Sequence, residues 1–87
     1  MNSTRNELRA LLAEAGVRGR EAWSAFAAEC GVPYPTLRGW LYTQRRPRYG
    51  EGTKVKEVLV ATICRYVPPG RKRERLLAKA GMLWRAA

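Results

Sequence analysis

The chain of 87 residues contains no aspartate and no histidine, and it has only two cysteines and one phenylalanine. These absences exclude chemistry. A Ser-His-Asp triad, a Cys-His dyad, a histidine zinc site and a calcium-binding EF-hand loop each need residues that are missing. No catalytic residue, metal site or cofactor is expected, and the chain does not read as an enzyme. Cys30 and Cys64 each fall inside an apolar helical pattern and read as reduced, buried small hydrophobes. No apolar run approaches the ~20 residues of a membrane span, and Met1-Asn2-Ser3-Thr4 has no signal-peptide core. A cytoplasmic protein with no membrane partner is expected.

Negative charge is also scarce. Seventeen Lys and Arg face seven acids, all of them Glu, for a formal net charge of +10. The excess is uneven: residues 1–37 hold Arg5, Arg9, Arg18 and Arg20 against Glu7, Glu14, Glu21 and Glu29, whereas residues 38–87 hold thirteen bases and three acids. Such a balance in so small a chain points to a polyanionic partner. With 46% hydrophobic residues the chain is too apolar for a disordered basic tail. Its length suits one domain that buries roughly 60–65% of its unfolded surface.

Apolar residues recurring with the helical period predict five short helices and no strand. Thr4-Arg5-Asn6-Glu7 has the capping-box spacing, and Leu8, Leu11, Leu12 and Ala15 follow it up to Gly16. Ala22, Trp23, Phe26, Ala27 and Cys30 form a second stripe, which Gly31 ends as a left-handed cap. Proline is tolerated in a first helical turn, so a third helix begins near Pro35 and runs through Leu37, Trp40 and Leu41 to about Thr43. After a basic loop over 44–52, Thr53 caps a fourth helix striped by Val55, Val58, Leu59, Thr62, Ile63 and Tyr66 and stopped at Pro68-Pro69-Gly70. Leu76, Leu77, Ala80, Leu83 and Trp84 mark a fifth helix over about 71–86. The expected fold is all-α, one compact domain across residues 1–87.

The stretch from about 22 to 43 carries the most information. Two helices that cross at a short turn need a small residue at the contact, a Gly in the turn and apolar anchors on the second helix. Ala27, Gly31 with Val32, and Leu37 with Trp40 supply them. Together with Phe26, Thr36, Arg45, Arg46 and Pro47, these residues resemble the helix-turn-helix of the Cro and phage-repressor (Xre-like) family of DNA-binding proteins. The resemblance covers about 25 residues and implies a lambda-repressor-like fold that binds double-stranded DNA. Pro33-Tyr34-Pro35 stands where that family usually has Ser, Gln or Asn, and Trp23 where it has Gln. Readout by amide side chains is therefore lost.

If Leu37, Trp40 and Leu41 point inward, 100° steps place Pro35, Arg38, Gly39 and Tyr42 outward, with Thr36 and Thr43 on the flank. The resemblance implies that this face enters the major groove. Arg38 is suited to a bidentate bond with guanine, worth ~1–3 kcal/mol of discrimination. Gly39 removes bulk beside it, Tyr34 and Pro35 can press on a thymine methyl, Thr36 can bond a base edge, and Tyr42 completes the base-reading set. Phosphate contacts are expected from Ser24, Thr43, Arg45, Arg46, Arg48, Tyr49, Lys54 and Lys56. Leu76, Leu77, Leu83 and Trp84 are expected to pair with a second copy, placing two recognition helices ~34 Å apart on a palindrome.

The expected function is that of a small homodimeric regulator of phage or mobile-element type, which represses transcription by occupying an operator. Two alternatives fit the same residues. One is an excisionase-like protein in which residues 48–53 form a wing and the DNA is bent. The other is an interaction module, such as an antitoxin or a protein that binds RNA polymerase.

Overall fold

Each apolar stripe becomes the inner face of a helix in the computed structural model, which describes residues 7–43, 45–47 and 51–83. Helix α1 spans Glu7–Ala15, α2 Arg20–Cys30, α3 Tyr34–Tyr42, α4 Glu51–Tyr66 and α5 Arg71–Met82. No strand occurs among the described residues. The protein is thus an all-α single domain, with extents of 31 × 31 × 26 Å. Helix α4 packs on α1, α2 and α5, and α1 touches α3, α4 and α5. Helix α3 rests on α1 and α2 alone, so one of its faces is left open. None of the described helices is long and apolar enough to cross a membrane.

The core follows the expected pattern closely in the first three helices. Leu8, Leu11, Leu12 and Ala15 are buried on α1, Phe26, Ala27 and Cys30 on α2, and Leu37, Trp40 and Leu41 on α3. The capping residue proposed at Thr4 lies outside the described residues. Helix α4 starts at Glu51, two residues before the expected cap at Thr53. Gly52 and Thr53 therefore fall inside its first turn. Because Glu51 to Thr53 are helical, that part of the proposed wing does not exist. At the other end Tyr66 is 44% exposed, and Val67, 4% exposed, closes the stripe in its place.

Helix α5 corrects the proposed dimer contact. Leu76 and Leu83 are 0% and 2% exposed within the single chain, and half-buried Leu77 packs against the same core. The α5 stripe is consumed in folding, because α5 lies across α1 and α4. The helix ends at Met82, and Trp84 lies outside the described residues.

Several bases hold helix ends. Pro68 has no N–H to give the Cys64 carbonyl, the bond that would have continued α4. Arg73 supplies it instead: its Nη2 donates to the Cys64 carbonyl at 2.6 Å and its Nε to the Val67 carbonyl at 2.9 Å. Arg18 Nε likewise donates to the Ala13 carbonyl near the end of α1, and Lys56 Nζ to the Gly81 carbonyl near the end of α5. The last contact gives Lys56, expected to be a phosphate ligand, a carbonyl partner favoured by the negative end of the α5 dipole.

Ion pairs join the neutral and basic parts of the chain. Arg65 meets Glu29 at 3.2 Å, and Glu14 receives Arg75 at 3.1 Å and Lys79 at 3.7 Å. Their partly exposed side chains make each pair worth little in stability. The Arg75 hydrogen bond, then the charges of Arg75, Lys79 and Lys72, hold the Glu14 carboxyl below its ordinary value of 4.5, against an opposing push from burial.

Two measurements follow. Arg73→Ala should lower the free energy of unfolding in urea by roughly 1.5–3 kcal/mol, the range for hydrogen bonds to charged groups, while Lys72→Ala changes it by less than about 0.5. A carboxyl with a lowered folded pKa contributes stability above its unfolded value and loses it as pH falls through the folded one. Stability should therefore decline as pH drops below 4.5, and the decline should be smaller in Glu14→Gln.

Candidate nucleic-acid interface

The open face of α3 is set by the turn before it. Gly31 adopts φ 79°, ψ 25°, a left-handed conformation that a side chain would strain. Its N–H donates to the Ala28 carbonyl at 3.1 Å and that of Val32 to the Ala27 carbonyl at 3.0 Å. These are the two bonds of a Schellman end, and half-buried Val32 packs on the core as its hydrophobic contact. Pro33 then serves as the N-cap, so α3 begins at Tyr34, one residue before the expected start near Pro35, which lies inside the first turn. Neither proline has an N–H, and the Thr36 N–H is taken by the Pro33 carbonyl. Helix α3 therefore offers little of the amide cluster that makes many helix N-termini anion sites.

Side chains must supply the attraction, and four of the six expected base readers lie together. Tyr34, Pro35, Arg38 and Tyr42 line one open concavity with Arg20, and no carboxylate is among its lining residues. Thr36 is exposed on the flank of the helix, as expected. Gly39 is half-buried, with the Arg45 stem across it: a Cβ added there would meet Arg45 Cδ at 3.6 Å, an ordinary contact.

The expected phosphate residues separate more widely. Arg45 and Arg46 are exposed directly after α3, and Lys54 is exposed on the first turn of α4. Thr43 commits its hydroxyl to the turn, donating to the Gly39 carbonyl and accepting from the Arg45 N–H. Its hydroxyl thus closes the end of α3. Ser24 is half-buried on α2 and does not line the concavity. Arg48 and Tyr49 lie outside the described residues.

Aromatic contacts bring in residues that the sequence did not single out for the site. The Arg38 guanidinium carbon lies 5.5 Å from the centre of the Tyr42 ring, and that of Arg9, from α1, lies 4.9 Å from the same centre. Arg20 sits 5.4 Å over Tyr34. Trp23 meets Tyr42 edge to face, with centroids 6.0 Å apart, while its indole N–H donates to the Val17 carbonyl at 3.1 Å. Trp23 thus braces the end of α3 against the α1–α2 turn. Nothing in the sequence marks Arg9, because its own helix carries two acids and no other base, and the ring it meets is distant along the chain.

Neither cysteine is disulfide-bonded. Burial, aided by the Glu29 charge and opposed by Lys54, pushes the Cys30 thiol up to about 11. It carries little thiolate at neutral pH and is a weak nucleophile there.

Compared with protein-family models, curated proteins and solved structures, the chain matches none.

The geometry at Gly39 separates stability from site function. Gly39→Ala should raise the free energy of unfolding by roughly 0.5–1 kcal/mol, the usual gain when Ala replaces Gly inside a helix. Urea denaturation checks this, and a loss of stability would mean that Arg45 cannot yield to the methyl.

Proposed function

We propose that the protein binds double-stranded DNA, with α3 in the major groove, and regulates transcription by occupying its site. The observation that carries this reading is the α3 face itself: Tyr34, Pro35, Arg38 and Tyr42 line an open concavity with Arg20, without a carboxylate. Exposed Arg45, Arg46 and Lys54 add positive charge for the flanking phosphates. The turn through Gly31 and the anchors Leu37, Trp40 and Leu41 match what a helix-turn-helix needs, which supports the resemblance to the Cro and phage-repressor family. In this reading Arg38 bonds a guanine edge, and the arginines after α3 carry sequence-independent affinity.

Small regulators of this kind commonly act as dimers on palindromes. Pairing of two copies would have to use surface other than Leu76 and Leu83, because both belong to the monomer core.

Selection of bound duplexes from a random-sequence pool tests the reading, and enrichment of a defined site is the expected outcome. On that site Arg38→Ala should weaken binding by ~1–3 kcal/mol while affinity for unrelated duplex stays nearly unchanged. Equal losses on both would make Arg38 a phosphate ligand. Arg46→Ala should reduce the slope of log affinity against log salt by about one unit.

A further inference from the structure

We propose that Tyr42 is a positioning residue instead of a base reader, and that its ring recruits Arg9 of α1 to the DNA backbone beside Arg38. This rests on the DNA-binding reading above and assigns the division of labour within that site.

The first ground is geometry. Two guanidiniums from different helices lie over one ring, at 4.9 and 5.5 Å from its centre, within the ~6 Å reach of a cation–π contact. A guanidinium stacked by its face keeps its N–H edges open, and those edges bond phosphate or guanine. The ring is itself held edge to face by Trp23, which the Val17 carbonyl fixes in turn. Tyr42 is thus a braced platform, and it lowers the side-chain entropy that two arginines lose on binding.

The second ground is charge. Arg65, Arg75 and Lys79 pair with glutamates, whereas Arg9 and Arg38 share a ring with each other. Like charges brought together without a counter-ion repel, and a polyanion relieves that repulsion. Arg9 has an acid near it in sequence at Glu7, yet among the described residues no ion pair joins Arg9 to any carboxylate.

The test is the salt dependence of binding to a mixed-sequence duplex of about 30 base pairs, followed by fluorescence anisotropy from about 50 to 200 mM salt. Arg9→Ala should reduce the slope by about one unit, as a phosphate ligand does. Tyr42→Leu, which keeps apolar bulk without a π face, should weaken binding several-fold, while Tyr42→Phe binds as the wild type does. Proton NMR of the free protein should show Arg9 side-chain resonances shifted by the ring current in wild type and Tyr42→Phe, and unshifted in Tyr42→Leu.

An unchanged slope in Arg9→Ala overturns the recruitment of Arg9. Loss of binding in Tyr42→Phe would assign the phenol hydroxyl a direct contact, and full binding by Tyr42→Leu would leave the ring without a role; either outcome overturns the positioning role. A wild-type protein that binds no duplex at all overturns the DNA reading itself, a result distinct from each of these.

Discussion

Seven acids stand against seventeen bases in this molecule, and the acceptor that each base finds decides where positive charge remains. Glu14 takes Arg75 and Lys79, and Glu29 takes Arg65. Other bases settle on backbone carbonyls near the C-terminal ends of helices, Arg18 on α1, Arg73 on α4 and Lys56 on α5, where the helix dipole favours them. Arg9, Arg20 and Arg38 are left on the tyrosines of α3. The division at residue 38 is therefore not the division in space. Acids of the neutral part neutralise bases of α4 and α5, and two bases of that same part move to the face of α3.

This exchange also marks how far the sequence could be read. Periodicity located all five helices, and it located the cores of α1, α2 and α3, because burial of a stripe is a local property of spacing. Gly31 was legible for the same reason, since a left-handed cap depends on one residue and its immediate neighbours. The α5 stripe was equally visible, but periodicity states only that a face is buried and not against what. Leu76 and Leu83 therefore read as well for a partner helix as for α1 and α4. The roles of Arg73 and Lys56 were hidden for a further reason: each is defined by a backbone carbonyl in another helix or the loop after it, and such acceptors leave no trace in residue type. Arg9 is the extreme case, because both its ring partner and its want of an acid are tertiary facts.

Within α3 the prolines explain why charge has to come from side chains. Pro33 and Pro35 define the start of the helix, and they also remove two of the N–H groups that would face an anion. The same segment places two tyrosines eight residues apart on one face, where each meets an arginine from another helix. Aromatic rings suit this role because they order a guanidinium without neutralising it. A glutamate at Tyr42 would order Arg9 and Arg38 as well, but it would cancel a charge that the proposed ligand needs.

Arginines gathered without a counter-charge oppose folding, and a small domain has a limited margin to offset that. The opposition is tolerable because the repulsive groups lie on an exposed face, where water screens them, and on a helix fixed by other means. Leu37, Trp40 and Leu41 bury the opposite side of α3, and the Gly31 turn fixes its entry. Neither depends on the arginines that lie over the tyrosines. Substitutions among Arg9, Arg20 and Arg38 are therefore free to change affinity for a polyanion while the fold stays intact, whereas Arg73, with the same charge, cannot be removed without exposing the end of α4. Identical side chains thus divide into those that hold the chain together and those that the chain holds out, and the acceptor each one faces decides which it is.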